Sequence, residues 1–162
     1  MADEHPSIAR FRAELAGRGG TGEIVVLPDS VHTAALAAEA LGCEVGAIAN
    51  SLLFTVSNEG GDDEPLLLLT SGAHRVDTDK VAAELGIGAL KRAKPDFVRR
   101  HTGQVIGGVG PFAHPAPVRT YLDPWLRKYD EIWAAAGHPA AVFSSTFEEL
   151  QQMTGADELE VA

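Results

Sequence analysis

The sequence predicts an α+β fold, in which strands joined by hairpins are mixed irregularly with helices. Two observations support this class. About six or seven strand-like runs and four or five helix-like segments follow one another in mixed order. The apolar runs 47–56 and 65–71 also flank an acidic, glycine-bearing turn, NEGGDDE, which is typical of a hairpin. Because a hairpin joins antiparallel strands, these runs do not belong to a purely parallel sheet.

The first part of the chain contains a helix, a strand and a second helix. Residues 8–15 carry apolar side chains at helical spacing and precede a glycine cluster that ends helices. Residues 23–27 form a brief run of branched side chains closed by a proline, which favours a strand. Residues 29–42 are rich in alanine, begin near a serine and a threonine that can cap a helix, and end at a glycine. This pattern predicts the second helix.

The remaining elements are read from the same signals. Helices are expected over residues 77–85 and 95–101, the second with a proline in its first turn, where proline is tolerated. Ser145 and Thr146 each precede a glutamate by three residues, the spacing of a capping box, which predicts a last helix over 147–153. Further strands are expected over residues 104–109, 118–122, 132–136 and 140–144.

Length and composition favour one domain spanning residues 1–162. The 162 residues are 45% hydrophobic and 22% charged, and no linker or repeat divides them. No apolar run approaches the roughly 18 to 20 residues of a membrane span, and the first residues carry two acids where a secretory signal carries bases. We therefore expect a cytoplasmic protein that does not bind membranes. Cys43 is the single cysteine and is expected to fill space in the core.

The charge distribution is uneven. The formal net charge of -10 is the wrong sign for a protein that binds nucleic acid through its whole surface. Residues 71–102, however, hold seven basic residues against four acidic ones. This segment is either a solvated helix face or a local surface for phosphates. Its basic residues are Arg75, Lys80, Lys91, Arg92, Lys94, Arg99 and Arg100.

Metal and nucleophile motifs are missing from the sequence. Six histidines are scattered singly, without the spacing that brings two metal ligands to one face. No serine lies in a GxSxG turn. The segment from Gly107 to Pro111, GGVGP, can present backbone N–H groups to a carbonyl oxygen or a developing oxyanion. The same glycines also suit an ordinary tight turn.

Several blocks, in order and spacing, resemble the YbaK and ProX family of trans-editing proteins, which also occurs as an insertion in bacterial prolyl-tRNA synthetases. The resemblance covers nearly the whole chain after about Gly22. Its blocks are TAALAAEALG, AIANSLLF, PLLLLTSGAHRVD, VIGGVGPF, YLD, AAGHP and FEELQQMTGA.

The resemblance implies a mixed, curved, barrel-like sheet flanked by helices, with a pocket for the aminoacyl ester at the 3′ end of tRNA. It implies hydrolysis by water with help from a ribose hydroxyl, without cofactor, metal or protein nucleophile. The substrate would be a small non-cognate amino acid, with tRNA(Pro) as the expected carrier. A synthetase is left open as a second partner.

The resemblance also names site residues. Catalysis would involve Asn50 and the backbone of Gly107 and Gly108, and the pocket would include His32, Phe54, Gly110 and His114. The tRNA phosphates would contact the basic residues Arg75, Lys91, Arg92, Lys94, Arg99 and Arg100.

Asn50 departs from the family pattern, because members usually carry lysine at this position. An amide can donate to a carbonyl or ribose oxygen but cannot form an ion pair with phosphate. Gly110 likewise replaces a serine or threonine. Two alternatives follow: a deacylase of mischarged tRNA, or a non-catalytic protein that binds an aminoacyl-tRNA or a small nucleotide or amino-acid-like ligand in the same pocket.

Overall fold

The computed structural model describes residues 4–28, 33–58 and 60–162. Within them the predicted α+β class is confirmed, with helices flanking one mixed sheet. The helices are α1 (Pro6–Gly17), α2 (Ala34–Leu41), α3 (Thr78–Leu85), α4 (Pro95–Thr102) and α5 (Phe147–Thr154). The strands are β1 (Ile24–Val26), β2 (Ile48–Ser57), β3 (Glu64–Ser71), β4 (Ala89–Arg92), β5 (Arg119–Leu122), β6 (Ile132–Ala135), β7 (Ala141–Ser145) and β8 (Asp157–Glu158). Short 3-10 turns occupy Val45–Ala47 and Pro124–Lys128.

Side-chain caps begin the helices where the sequence predicted them. The hydroxyl of Thr33 accepts from the N–H of Leu36 at the start of α2, and the hydroxyl of Thr146 accepts from the N–H of Glu149 at the start of α5. Gly42 ends α2 in the left-handed region, with φ of 71°. Residues 29–32, which the prediction for the second helix included, lie outside the described residues.

The sheet is built around β2. Its strands follow the order β1-β7-β6-β2-β3-β5-β8, with β4 on a further part of β2, and this path does not close. Strand β2 pairs with β3 as the antiparallel hairpin that the acidic turn predicted. Its other edge pairs with β6 near its beginning and with β4 near its end.

Strand β3 separates two apolar layers. Residues 66–69 are four consecutive leucines with 0% exposure. Leu67 and Leu69 pack in the larger cluster with Phe11 and Phe143, whereas Leu66 and Leu68 pack on the opposite face. Alternate residues of a strand point to opposite faces, so a continuous apolar run indicates a strand covered on both sides.

The strand expected over residues 104–109 is wrong, because this segment is an irregular loop. The side chain of Gln104 supports it: Oε1 accepts from the N–H of Gly110 at 2.8 Å, and Nε2 donates to the carbonyl of Phe112 at 3.4 Å. Gly107 has φ of 87°, which interrupts an extended strand. We call residues 107–111 the glycine loop.

Two short strands, β4 and β8, were missed by the sequence analysis. Their four and two residues carry little periodicity, and each depends on pairing with a distant strand. Among the described residues, no helix has both the length and the apolar character required to cross a membrane.

Candidate functional site

A gap in the sheet lies along one edge of β2. Strand β6 pairs with Ile48 and Ala49, and β4 pairs with residues 54–57. None of the described strands pairs with residues 50–53 on this edge, and we call this stretch the sheet gap. The carbonyl of Leu53 accepts from the N–H of Ala93 at 3.1 Å, so it is directed to this edge. Because alternate residues direct their backbone groups to the same edge, the N–H and C=O of Ser51 face the gap.

A cavity of about 540 Å³ opens at the sheet gap, and we call it the main cavity. Its size is in the range of small-molecule sites. Most of its lining residues are apolar, and they include Leu27, Ala37, Trp133 and Pro139 from four separate parts of the chain. Sequence reasoning assigned none of these four residues to the pocket, although Ala37 and Pro139 lie in blocks that resemble the family.

Asn50 brings a free amide to the main cavity. It lines the cavity and is exposed, and none of its hydrogen bonds with described residues involves its side chain. Thr70 lies directly opposite it on β3, and its buried hydroxyl has no partner among the described groups either. A buried polar group without a partner, such as the Thr70 hydroxyl, is uncommon, whereas the exposed amide of Asn50 can bind water or a ligand.

Two residues of the glycine loop, Gly107 and Val109, line the same cavity. A Cβ built on Gly107 would have no atom within 4 Å, so its surroundings are open. None of the described acceptors receives the N–H of Gly107 or Val109. These two N–H groups are therefore the available donors of the loop.

Gly108 and Gly110 differ from the expectation that they contact substrate. The N–H of Gly108 donates to the carbonyl of Val105 at 2.9 Å, and that of Gly110 donates to the Gln104 side chain. A Cβ on Gly108 would lie 2.5 Å from the backbone nitrogen of Pro139, and one on Gly110 would lie 2.4 Å from the Phe11 ring. Both glycines are thus required for close packing.

The other expected pocket residues are placed away from the main cavity or lie outside the described residues. Phe54 is 1% exposed and packs in the cluster on the opposite side of β3 from Phe11. His114 Nε2 lies 2.9 Å from the carbonyl oxygen of Gly110, and burial lowers the pKa of its imidazole. His32 lies outside the described residues.

Among the expected tRNA contacts, Arg92 has a distinct position. It lines the main cavity, and its guanidinium carbon lies 5.8 Å from the centre of the Phe54 ring. The remaining five are exposed and do not line this cavity: Arg75, Lys91, Lys94, Arg99 and Arg100. Sequence reasoning placed Arg92 in the basic segment but did not foresee a cation at the cavity.

The described lining of the main cavity contains no carboxylate, imidazole or thiol. Ser51 lines it, but its hydroxyl oxygen is buried, and a hydroxyl without a neighbouring base is a weak nucleophile. In the part of the chain that the structure describes, no three His, Cys, Asp or Glu residues come together as metal ligands.

Ser71, His74 and Asp123 also come close together, but they do not form a catalytic triad. The Asp123 carboxylate accepts from His74 Nδ1 at 2.7 Å and from the N–H of Ser71 at 3.1 Å. The Ser71 hydroxyl donates instead to the carbonyl of Gly46 at 2.7 Å. No hydrogen bond joins the hydroxyl to the imidazole, so the serine is not activated as in a triad. The bonds of Asp123 instead connect the end of β3 to the turn after β5.

Comparisons with known sequences agree on one family. The chain matches the family described as the aminoacyl-tRNA editing domain over residues 28–153. The uncharacterized protein YwhH of Bacillus subtilis (strain 168) is 29% identical over 148 residues, which cover 91% of each protein. The proline–tRNA ligase of Limosilactobacillus fermentum is 32% identical over 96 residues, which cover 59% of this chain and 17% of the ligase.

Comparisons with solved structures agree with the fold. The crystal structure of a proposed trans-editing enzyme for prolyl-tRNA synthetase has a TM-score of 0.89 and 42% identity, covering 98% of both chains. The hypothetical protein APE2540 has a TM-score of 0.82, covering 94% of this chain and 98% of that one. At 22% identity, the second likeness concerns the fold alone.

Proposed function

This chain belongs to the aminoacyl-tRNA editing domain family, and we propose that it is a free-standing hydrolase that releases wrongly attached amino acids from tRNA. One observation carries the proposal. The main cavity combines the amide of Asn50 with the backbone N–H groups of Gly107 and Val109, none of which has a hydrogen-bond partner among the described groups. An ester carbonyl needs such donors during hydrolysis, because its oxygen gains negative charge as water adds to the carbon.

The donors divide between the two ends of the ester. The N–H groups of Gly107 and Val109 serve the carbonyl oxygen, and the Asn50 amide donates to that oxygen or to the terminal ribose. Water then adds to the carbonyl carbon and the bond to the ribose oxygen breaks. The ribose oxygen takes a proton, and the products are the free amino acid and the uncharged tRNA.

The group that assists the attacking water comes from the substrate in this proposal. No carboxylate, imidazole or thiol occurs in the described lining of the main cavity, and the hydroxyl of Ser51 is buried. A hydroxyl of the terminal ribose stands next to the ester and can position the attacking water by hydrogen bonding, while the proton that this water loses passes to the departing ribose oxygen. The role of the protein is then to orient the ester and to stabilise the developing charge.

The wall of the main cavity favours a small apolar amino acid. Six alanines are among its described lining residues, so the side chain of a bound amino acid would contact mainly small apolar groups. The alanines are Ala34, Ala37, Ala49, Ala134, Ala135 and Ala141. The likeness to proline–tRNA ligases supports tRNA(Pro) as the carrier and a synthetase as a companion, with the cytoplasm as the site of action.

Arg92 supplies the positive charge that the amide of Asn50 lacks. It lines the main cavity, and no described carboxylate forms an ion pair with it. A guanidinium binds phosphate through paired hydrogen bonds. We assign Arg92 to the phosphate of the terminal nucleotide, with the exposed basic residues of the segment 71–102 contacting phosphates further along the tRNA.

The second candidate function is non-catalytic binding of an aminoacyl-tRNA or a small related ligand. The observation that favours it is the neutral amide of Asn50 at the position where related proteins usually carry lysine. A protein of this kind would hold the ester in the main cavity without accelerating its hydrolysis.

Two measurements on the same protein distinguish these functions. Purified protein is incubated with a panel of mischarged tRNAs, including alanyl-tRNA(Pro), and released amino acid is counted against a no-protein control. Binding of an aminoacyl-tRNA analogue with an amide in place of the ester is measured in parallel. Release supports the hydrolase, binding without release supports the binding protein, and neither result would reject both.

A further inference from the structure

A second cavity of about 420 Å³ lies beside the main one and outside the sheet gap, and Arg99 is its one lining residue that the sequence analysis expected to contact tRNA. It opens between the start of α1, the end of α4 and the turn that joins β6 to β7. Pro139 lines both cavities, and Val105, Ile106 and Gly107 continue from the wall of one to the wall of the other. A ligand that crosses Pro139 would therefore reach both.

Two histidines of the second cavity are hydrogen-bond donors. Nδ1 of His5 accepts from the backbone N–H of Ser7 at 3.1 Å, and Nδ1 of His138 accepts from that of Ala140 at 3.0 Å. Because a backbone N–H can only donate, both Nδ1 atoms carry no proton, and the proton of each neutral ring lies on Nε2. The ring centroids are 4.6 Å apart, so the two imidazoles are in contact.

Two arginines, Arg10 and Arg99, complete the second cavity. Both are exposed, and neither forms an ion pair with any described carboxylate. No Asp or Glu occurs among the described residues that line it. In a chain of net charge -10, two guanidinium groups that pair with no described carboxylate and two imidazole donors around one space indicate a site for an anion.

We propose that the second cavity binds a backbone phosphate of the single-stranded 3′ end of tRNA, one or more nucleotides before the terminal residue in the main cavity. This inference rests on the proposed function, because the strand is that of the aminoacyl-tRNA. The cavity is open and its donors are charged or polar, which suits a phosphodiester. Its position across Pro139 suits a strand that continues out of the main cavity.

The test measures binding of uncharged RNA, so that it does not depend on hydrolysis. The probe is a fluorescent RNA trinucleotide of sequence CCA, and the protein carries Arg10→Gln and Arg99→Gln together. We expect roughly tenfold weaker binding. The slope of log affinity against log salt should flatten by about 0.7, the value for one phosphate on a single strand.

Two controls accompany this variant. Lys80→Gln with Arg119→Gln removes the same charge from residues that line neither cavity, and it should not reproduce the effect beyond a small general loss. The nucleoside adenosine carries no phosphate, so its affinity should be equal in the wild type and in the Arg10 and Arg99 variant. Inorganic phosphate, followed by NMR, should shift the imidazole signals of His5 and His138.

The outcomes separate this site from the proposed function. Equal affinity and equal salt slope for CCA in the wild type and the variant would overturn the second cavity as a strand site, while amino-acid release would still decide the hydrolase. Shifts of His5 and His138 with inorganic phosphate, together with unchanged CCA binding, would assign the cavity to small anions instead. Absence of CCA binding by the wild type would also overturn the inference.

Discussion

Asn50 of β2 and Gly107 of the glycine loop line the same cavity, although β3, two helices and β4 separate them in the sequence. The amide of Asn50 and the N–H of Gly107 are both free of partners among the described groups. Two potential donors from different parts of the fold therefore lie at one cavity, and the role proposed for each can be tested by a single substitution.

Asn50→Ala should lower kcat/KM for release of the amino acid about two- to tenfold. The substitution removes one hydrogen bond to the substrate, worth roughly 0.5 to 1.5 kcal/mol net. The melting temperature should stay nearly unchanged, because Asn50 is exposed and its side chain bonds to no described residue. Rates on the best mischarged tRNA and thermal unfolding are measured together.

Asn58→Ala is the matched control for this substitution, since Asn58 lies at the hairpin turn and outside the main cavity. Asn50→Lys tests the residue usual in related proteins. If the wild type, Asn50→Ala and Asn50→Lys all showed the same, easily measured activity, β2 would have no role in the hydrolysis.

Gly107→Ala should reduce both activity and stability. A methyl group there enters the main cavity, and the positive φ of 87° costs a non-glycine residue about 1 kcal/mol or somewhat more. Gly86→Ala is the control, because Gly86 also has positive φ, of 64°, and open surroundings, but lies after α3. A Gly107 variant that loses only as much activity as the Gly86 variant would contradict a role in the site.

Gly108→Ala should mainly lower the stability of the fold and have a smaller direct effect on the rate of hydrolysis. Its methyl group would lie 2.5 Å from the nitrogen of Pro139 and 2.6 Å from the carbonyl carbon of His138, and backbone cannot move aside cheaply. The free energy of unfolding should fall by about 1 to 3 kcal/mol, as in other overpacked sites. Chemical denaturation measures this loss, and an unchanged midpoint would show that the turn between β6 and β7 yields easily.

Arg92→Gln should raise KM for aminoacyl-tRNA roughly three- to tenfold with little change in kcat, because it removes a charged contact to phosphate at the main cavity. Arg92→Lys should recover part of the loss. Arg119→Gln provides the control, since Arg119 is exposed on β5 and lines neither cavity. Steady-state kinetics at two salt concentrations measure KM and kcat for the wild type and the variants. A fall in kcat alone would place Arg92 in the chemical step instead.

His114 should make the fold sensitive to mild acid. Burial lowers the pKa of its imidazole below the ordinary value of 6.5, and the charge of Arg18 adds to this effect, while the bond to Gly110 opposes it. The unfolded chain therefore takes up this proton more readily than the folded one. The contribution to stability is full above about pH 6.5 and is lost as the pH falls through the folded pKa.

His114→Gln should consequently flatten the fall in melting temperature between neutral and mildly acidic pH. Thermal unfolding of the wild type and the variant in matched buffers provides the measurement. Parallel curves for the two proteins would assign the acid sensitivity to other groups, including His101, whose pKa is also lowered by burial.

The local elements of the fold follow from the sequence alone, because their causes lie close together in the chain. Thr33 and Thr146 cap helices through N–H groups three residues away, and Gly42 ends a helix through its own backbone conformation. The hairpin of β2 and β3 follows from two apolar runs and one polar turn. The order of motifs in the sequence also identified the family.

The site was decided by the tertiary structure, because its parts are assembled by pairing between distant strands. The sheet gap lies between the residues of β2 that pair with β6 and those that pair with β4. The sequence of β2 alone does not predict where either pairing ends. Asn50 stood out as a polar residue in an apolar run, whereas Arg92 entered the main cavity only because β4 pairs beside the gap. Gly107 and Gly108 are adjacent residues of the same type, so the sequence does not distinguish them. In the structure, Pro139 packs against Gly108, whereas the surroundings of Gly107 are open to a ligand.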